Sequence, residues 1–263
     1  MHPDCTVLVA TCDAYADVVA SFCALKKKYW PDCPFETVLV TETDPGRPLP
    51  AIDRIVACGA GGNWCSRLAR ALDAIRTPYV LMLCEDYYLE APVATERILA
   101  RLKQARTYDA VNLRLIPNPV TRVPYREDLR EYPKNTAYCI ATQAGIWERT
   151  FLRRLVEGKA SIWEFERYGS FDLKDEPRPI LGTPTREFPF VDAVHKGCWE
   201  PQGVRVLREN GLPTDFSARR LPDFRTRCVE GVKGLVFALV PNTWIVRVQN
   251  ALGLGAKERK RTV

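Results

Sequence analysis

Two hydrophobic periods alternate along this chain. An unbroken apolar run at 80–84 suits a strand buried on both faces, as in a parallel sheet covered by helices, and 5–10, 35–40, 52–58 and 108–116 are largely apolar stretches of strand character. Between them, apolar residues recur at three- and four-residue spacing. Val18, Phe22 and Leu25 form one stripe over 17–29, with Lys26, Lys27 and Lys28 in the last turn, where they favour the helix dipole. Leu68, Leu72 and Ile75 form a second stripe over 64–76, and Ile98, Leu102 and Ala105 a third over 92–106. Pro31 and Pro34 stop the first helix, and Asp44 to Pro48 read as a turn cluster. The order strand–helix–strand–strand–helix–strand predicts an α/β domain with right-handed crossovers. Farther on, 117–133 reads as a polar, Pro-rich loop, 138–143 as a strand, 144–157 as a helix and 181–185 as a loop.

The most informative boundary is the end of the run at Val80 to Cys84. It stops at two adjacent acids, Glu85 and Asp86. In open α/β sheets ligands bind at the carboxyl ends of the strands. Two hard oxygen donors there suit Mg²⁺ or Mn²⁺ carrying a phosphate, and the plainer alternative is a solvated turn. The first strand ends in the same way, at Thr11-Cys12-Asp13, where side chains and a helix N-terminus can hold a ligand or Asp13 can serve only as a cap. The second strand ends at Thr41-Glu42. The stretch Gly59-Ala60-Gly61-Gly62-Asn63 is not a dinucleotide or P-loop fingerprint, because the third glycine and the lysine are missing.

These residues resemble family 2-type glycosyltransferases with the GT-A fold. The likeness lies in Thr11-Cys12-Asp13, in Glu42, and in the block from Asn63-Trp64 through Leu89, where a helix opened by tryptophan leads to a strand ending in a D-x-D-like motif. Tyr87 stands where that motif has its second aspartate, so the ligand pair is Glu85 and Asp86. The resemblance implies a central, mostly parallel sheet flanked by helices. It also implies a nucleotide-sugar donor lying across Thr11, Asp13, Glu42, Trp64, Arg67 and Glu85, and a Mn²⁺ or Mg²⁺ ion on Glu85, Asp86 and a late histidine, His195. Lys196 and Arg205 are further phosphate partners. A general base at the start of a helix below the acceptor falls on Glu164 or Glu166. Ser161 and Glu164 also match a capping box. If Glu164 is that cap, Glu166 inherits the role. The acceptor would be a glycan or lipid-linked glycan, attacked with inversion. A sugar-phosphate nucleotidyltransferase shares the fold, but it usually carries a glycine-rich loop with a basic residue after the first strand, which Thr11-Cys12-Asp13 lacks. A non-catalytic nucleotide-sugar-binding or membrane-adaptor module is the third reading.

Composition narrows the setting. The 263 residues are 46% hydrophobic and 27% charged, enough to bury a sizeable core. A net charge of +6 fits an anionic substrate or membrane surface without calling for nucleic acid. No basic n-region with an apolar h-region opens the chain, so no signal peptide is expected. The 10 cysteines include no C-x-x-C pair and read as reduced thiols of a cytoplasmic protein. The chain divides into a GT-A-like domain, 1–231, and a helical extension, 232–263. In that extension Trp244, Val248 and Leu252 share a stripe followed by Lys257, Arg259, Lys260 and Arg261. That pattern fits either an interfacial helix on an anionic membrane or a helix docked on the body with a solvated basic end.

Overall fold

A computed structural model describes residues 2–134, 138–173, 175–213 and 215–221. The boundary expected at residue 231 and the stripe and basic run of the extension lie outside the described residues.

The strands in chain order are β1 (Cys5–Ala10), β2 (Glu36–Thr41), β3 (Arg54–Ala57), β4 (Tyr79–Cys84), β5 (Tyr87–Leu89), β6 (Asn112–Arg114), β7 (Val123–Pro124), β8 (Arg130–Glu131), β9 (Gly145–Glu148), β10 (Ile180–Gly182), β11 (Phe190–Asp192), β12 (Val194–His195) and β13 (Cys198–Trp199). The helices are α1 (Ala16–Tyr29), α2 (Trp64–Ala74), α3 (Thr95–Thr107), α4 (Arg149–Val156), α5 (Ile162–Gly169) and α6 (Pro201–Glu209). Among the described residues nine strands form one sheet, ordered β3-β2-β1-β4-β9-β6-β10-β8-β7. β1 pairs in parallel with β2 and β4, and β2 with β3. β9 runs antiparallel between β4 and β6, which restores β6 and β10 to the direction of β4. The carboxyl ends of β1, β2, β4, β6 and β10 therefore share one edge of the sheet.

Strand alternation divides the core in two. Val7, Val9, Leu81 and Leu83 face α1, α3 and α6, and Leu8, Ala10, Val80 and Met82 face α2, α4 and α5. Every residue of β1 and β4 is buried, as their apolar character requires, Thr6 in β1 included. Two close approaches depend on glycine. A Cβ at Gly203 would meet Ala193 Cα at 2.5 Å, so α6 lies tight on the link between β11 and β12. A Cβ at Gly182 would meet the Tyr132 ring at 2.6 Å.

The second half departs from expectation at four places. The segment expected to begin a helix at Ala144 is first a strand, β9. Its carboxyl-terminal residue Glu148 then caps α4 by accepting from Thr150 N and Phe151 N, which fixes the helix start at Arg149. The expected strand at 138–143 is irregular, and the loop expected at 181–185 opens with β10. The 117–133 loop contains the β7–β8 hairpin that ends the sheet. Strands of two and three residues carry no readable period.

Candidate active site

Three of the residues expected to hold the donor, Asp13, Glu42 and Arg67, form one network at the ends of β1 and β2. The Asp13 carboxylate accepts from Thr41 Oγ1 at 3.2 Å, Thr43 N at 3.0 Å and Thr43 Oγ1 at 2.6 Å. These bonds hold its pKa below the usual aspartate value. Asp13 is thus a bridge to the loop after β2 and not the helix cap. Its N–H donates to Glu42 Oε2 at 3.0 Å, and Glu42 Oε1 takes Arg67 Nη1 at 2.8 Å. Arg67 also donates to Gly62 O at 2.7 Å, which anchors the glycine turn that Asn63 ends by capping α2 through Ser66 N. Thr11 is buried beside this network. A cavity of about 210 Å³ opens next to it, lined by Thr11, Asp13, Val19, Leu39, Thr43 and Leu49 among others. Trp64 stands apart. It packs on Phe165 at 5.5 Å between ring centroids and ties α2 to α5.

The carboxyl end of β4 carries two adjacent carboxyl groups whose ionisation the fold disfavours. Glu85 is 8% exposed, and burial, reinforced by the neighbouring Asp86 charge, pushes its pKa up to about 8. Asp86 rises to about 7, from burial first and from Asp192 second. Asp192 reaches the same place because β11 pairs with β5, setting it opposite Tyr87, and Ala193 N donates to Asp86 O at 2.8 Å. The Asp192 side chain is open to solvent, yet the surrounding protein raises its pKa against the pull of Arg186 and His195. Besides Arg67, which lowers the Glu85 pKa, a cation from the far end of the described residues faces the acids. Arg219 lies 4.0 Å over the Tyr15 ring, pairs with both Asp17 oxygens at 2.8 and 3.0 Å, and lowers the pKa of both Glu85 and Asp86.

Glu164 and Glu166 separate. Ser161 Oγ accepts from Glu164 N at 3.2 Å and Glu164 Oε2 accepts from Ala160 N at 2.8 Å, so Glu164 caps α5. Glu166 instead turns toward the β4 end. Its Oε1 accepts from Thr142 N and Thr142 Oγ1, both at 2.7 Å, and Thr142 O accepts from Tyr87 OH at 3.0 Å. The Glu166 charge is felt at Cys84 and Tyr87, the residues on either side of the acid pair. His195 is half-buried near Asp192, while Lys196 is exposed in the β12–β13 turn, where Lys196 and Gly197 both have positive φ. Arg205 is engaged on the surface by Glu90 at 2.7 Å and Glu209 at 3.0 Å. Among the described residues no three His, Cys, Asp or Glu side chains form a ready-made metal-ligand group, so Glu85, Asp86 and His195 are not assembled as one. All nine described cysteines are free. Nothing local in the sequence marks Thr142, Asp192 or Arg219, since each reaches the site only through a distant pairing.

This arrangement, a mostly parallel sheet flanked by helices with a crevice over its strand ends and acids at the central strand, is that of the GT-A-like fold. No family model matches the chain, and no curated protein matches it. Solved structures do. The mannosyltransferase PcManGT from Pyrobaculum calidifontis, in complex with GDP-Man and Mn²⁺, aligns at a TM-score of 0.51 and 15% identity, over 75% of this chain and 59% of that one. S. aureus TarS 1-349 aligns at 0.45 and 14%, over 71% and 59%. A nucleotidyl transferase from Methanothermobacter thermautotroptrophicus (Mth528) aligns at 0.43 and 13%, over 69% and 87%. The chain thus spans about 59% of the length of the first two. The fold statement rests on the mannosyltransferase.

Proposed function

We propose that the protein transfers a sugar from a nucleoside-diphosphate sugar to a hydroxyl acceptor. The observation that carries this reading is the contiguity of the 210 Å³ cavity, the Asp13–Glu42–Arg67 network and the Glu85–Asp86 pair along one sheet edge. The mannosyltransferase of like fold was solved in complex with GDP-Man and Mn²⁺, which supports the same ligand classes here. The cavity takes the nucleoside, with Leu39, Val19 and Leu49 under the base. The diphosphate then extends toward Asp86. Adjacent hard oxygen donors with raised pKa values fit a divalent cation, because a cation relieves the repulsion that raised them. Asp86 and Glu85 would hold it, together with diphosphate oxygens. When bound, it supplies charge neutralisation to the leaving diphosphate.

Arg219, fixed by Asp17 and Tyr15, adds a positive charge on the same side. Charge set in place before reaction costs no reorganisation when the diphosphate departs. Glu166 serves as the base. One oxygen is held by Thr142, the other takes no hydrogen bond from the described residues, and that free oxygen removes the proton of the attacking hydroxyl. Attack opposite the diphosphate inverts the anomeric centre. The test is a thermal-shift panel of nucleoside diphosphates and nucleotide sugars with and without Mn²⁺. Stabilisation by one nucleotide, larger with Mn²⁺, supports the reading, and no response from any nucleotide removes it.

The extension 232–263 we assign to an anionic membrane, on the strength of its basic run and the use such attachment would have for a lipid-linked acceptor. Deleting 242–263 should then abolish low-salt sedimentation with anionic liposomes. If the deletion unfolds the protein, the extension is part of the core. No described helix is long and apolar enough to cross a membrane.

A further inference from the structure

A second cavity, of about 280 Å³, lies farther along the same sheet edge. Pro117 after β6, Thr121, Arg122, Arg130 on β8, Tyr132 and Thr183 after β10 line it, and its lining contains no acid. Arg122 is exposed and forms no hydrogen bond or ion pair with the described residues. Arg130 is half-buried, and its guanidinium makes one bond, to Leu129 O at 3.2 Å. Arg130 and Tyr132 are two apart and so project to the same side. Tyr132 is 2% exposed, and its hydroxyl finds no partner among the described residues. Arg114, 1% exposed, stacks on that ring at 4.4 Å and adds positive charge behind the wall. Arg114 also donates to Asn118 O at 2.7 Å and Tyr138 O at 3.0 Å, which ties down the loop that forms the cavity's rim.

Arginines left without acids, beside an unpaired buried hydroxyl, are the donor set for a phosphate or carboxylate. The site is small against ligand pockets of ~300–1,000 Å³, which fits one charged sugar unit. β6 is two strands from β4 and β8 is four. At ~4.8 Å per strand the cavity begins about 10 Å from the acid pair and ends about 19 Å from it. The nucleotide crevice lies on the other side of β4, over β1 and β2. We propose that this cavity is an acceptor subsite for an anionic sugar, binding a phosphate or carboxylate substituent through Arg122 and Arg130. The word acceptor rests on the glycosyl-transfer reading; the anion site itself does not.

Calorimetric titration of the full chain with glucose 6-phosphate, glucuronate, glucose and inorganic phosphate tests it, in the presence and absence of the nucleoside diphosphate found in the thermal-shift panel. The expected result is saturable binding of glucose 6-phosphate or glucuronate, with glucose about tenfold or more weaker, unchanged by the nucleotide, and weakened about tenfold in Arg130→Gln and in Arg122→Gln. Which charged sugar binds distinguishes a phosphate from a carboxylate. Arg122 is exposed, so Arg122→Gln keeps the test valid should Arg130→Gln fail to fold. Equal binding by wild type and variants, equal binding of glucose, displacement by the nucleotide, or inorganic phosphate binding as well as glucose 6-phosphate overturns the subsite. If charged sugars bind through the arginines but no nucleotide binds at all, the donor reading falls and the anion site stands. If nucleotide binds and the arginine variants change nothing, the reverse holds.

Discussion

Replacing Glu85 by glutamine should make the metal-free protein more stable at alkaline pH. The ordinary value for such a group is 4.5, and in the fold it rises to about 8, chiefly through burial. The native state therefore holds this proton more tightly than the unfolded chain does. Its contribution to stability is complete below about pH 4.5 and is lost as the pH rises through 8. At about 1.4 kcal/mol per unit, ionising Glu85 costs at most about 5 kcal/mol. Asp86 shares the burden, because the two carboxylates titrate as a pair, and part of the cost passes to it once Glu85 is neutral. We expect a net gain of about 1–3 kcal/mol for Glu85→Gln at pH 8.5 and none at pH 4.5. Urea titrations followed by tryptophan fluorescence will read it, since Trp30, Trp147 and Trp199 are fully buried. Mn²⁺ supplies the opposite control: it should stabilise the wild type increasingly with pH and leave the variant nearly unchanged. A variant that is equally or less stable at pH 8.5 would falsify the reasoning, for it would mean that Arg67 and Arg219 already balance the charge.

Three further outcomes follow from the same geometry. Asp86→Asn should abolish Mn²⁺-dependent binding of a nucleoside diphosphate while leaving the urea midpoint at neutral pH unchanged or higher; intact metal-dependent binding would remove Asp86 from the ion. Glu166→Gln should lower turnover by about 10²-fold or more with little change in donor affinity, whereas Glu164→Gln, which alters a cap, should cost no more than about 1 kcal/mol of stability and leave turnover within a few-fold; the opposite ranking in steady-state assays would return the base to Glu164. Gly203→Ala should destabilise by about 1–3 kcal/mol, because the added methyl meets the Ala193 backbone at 2.5 Å; a wild-type urea midpoint would show that α6 can slide.

The first half of the fold was legible because each element carries its own signal at sufficient length. β1, β2 and β4 are six-residue strands buried almost throughout, and α1 and α2 carry full amphipathic stripes. The second half is built from β6, β9 and β10, of three, four and three residues, too short for a period to declare itself. In the sequence β9 looks like a helix start because Ile146 and Trp147 run directly into α4, and the cap that separates them is a glutamate, a residue not among the usual N-cap types. The stretch 181–185 reads as a loop, yet it opens with the end of the three-residue β10, where Gly182 admits the Tyr132 ring.

The site divides along the same line. Acids at the end of a buried strand announce themselves, because sequence neighbours stay neighbours in the fold. What sets their charge balance does not. Asp192 arrives through a three-residue antiparallel pairing with β5, and Glu166 is held by Thr142, 24 residues before it. Arg219 meets Asp17 across 202 residues. The acid cluster gains one carboxylate from β11 and one guanidinium from the far end of the described chain, so long-range additions add as much repulsion as they relieve. Below their raised pKa values protons neutralise the pair, and above them, on the reading proposed, the positive charge comes with the ligand or with an ion. For this reason the stability of the Glu85 variant at alkaline pH, measured without metal or nucleotide, bears directly on whether the crevice is built to bind a cation.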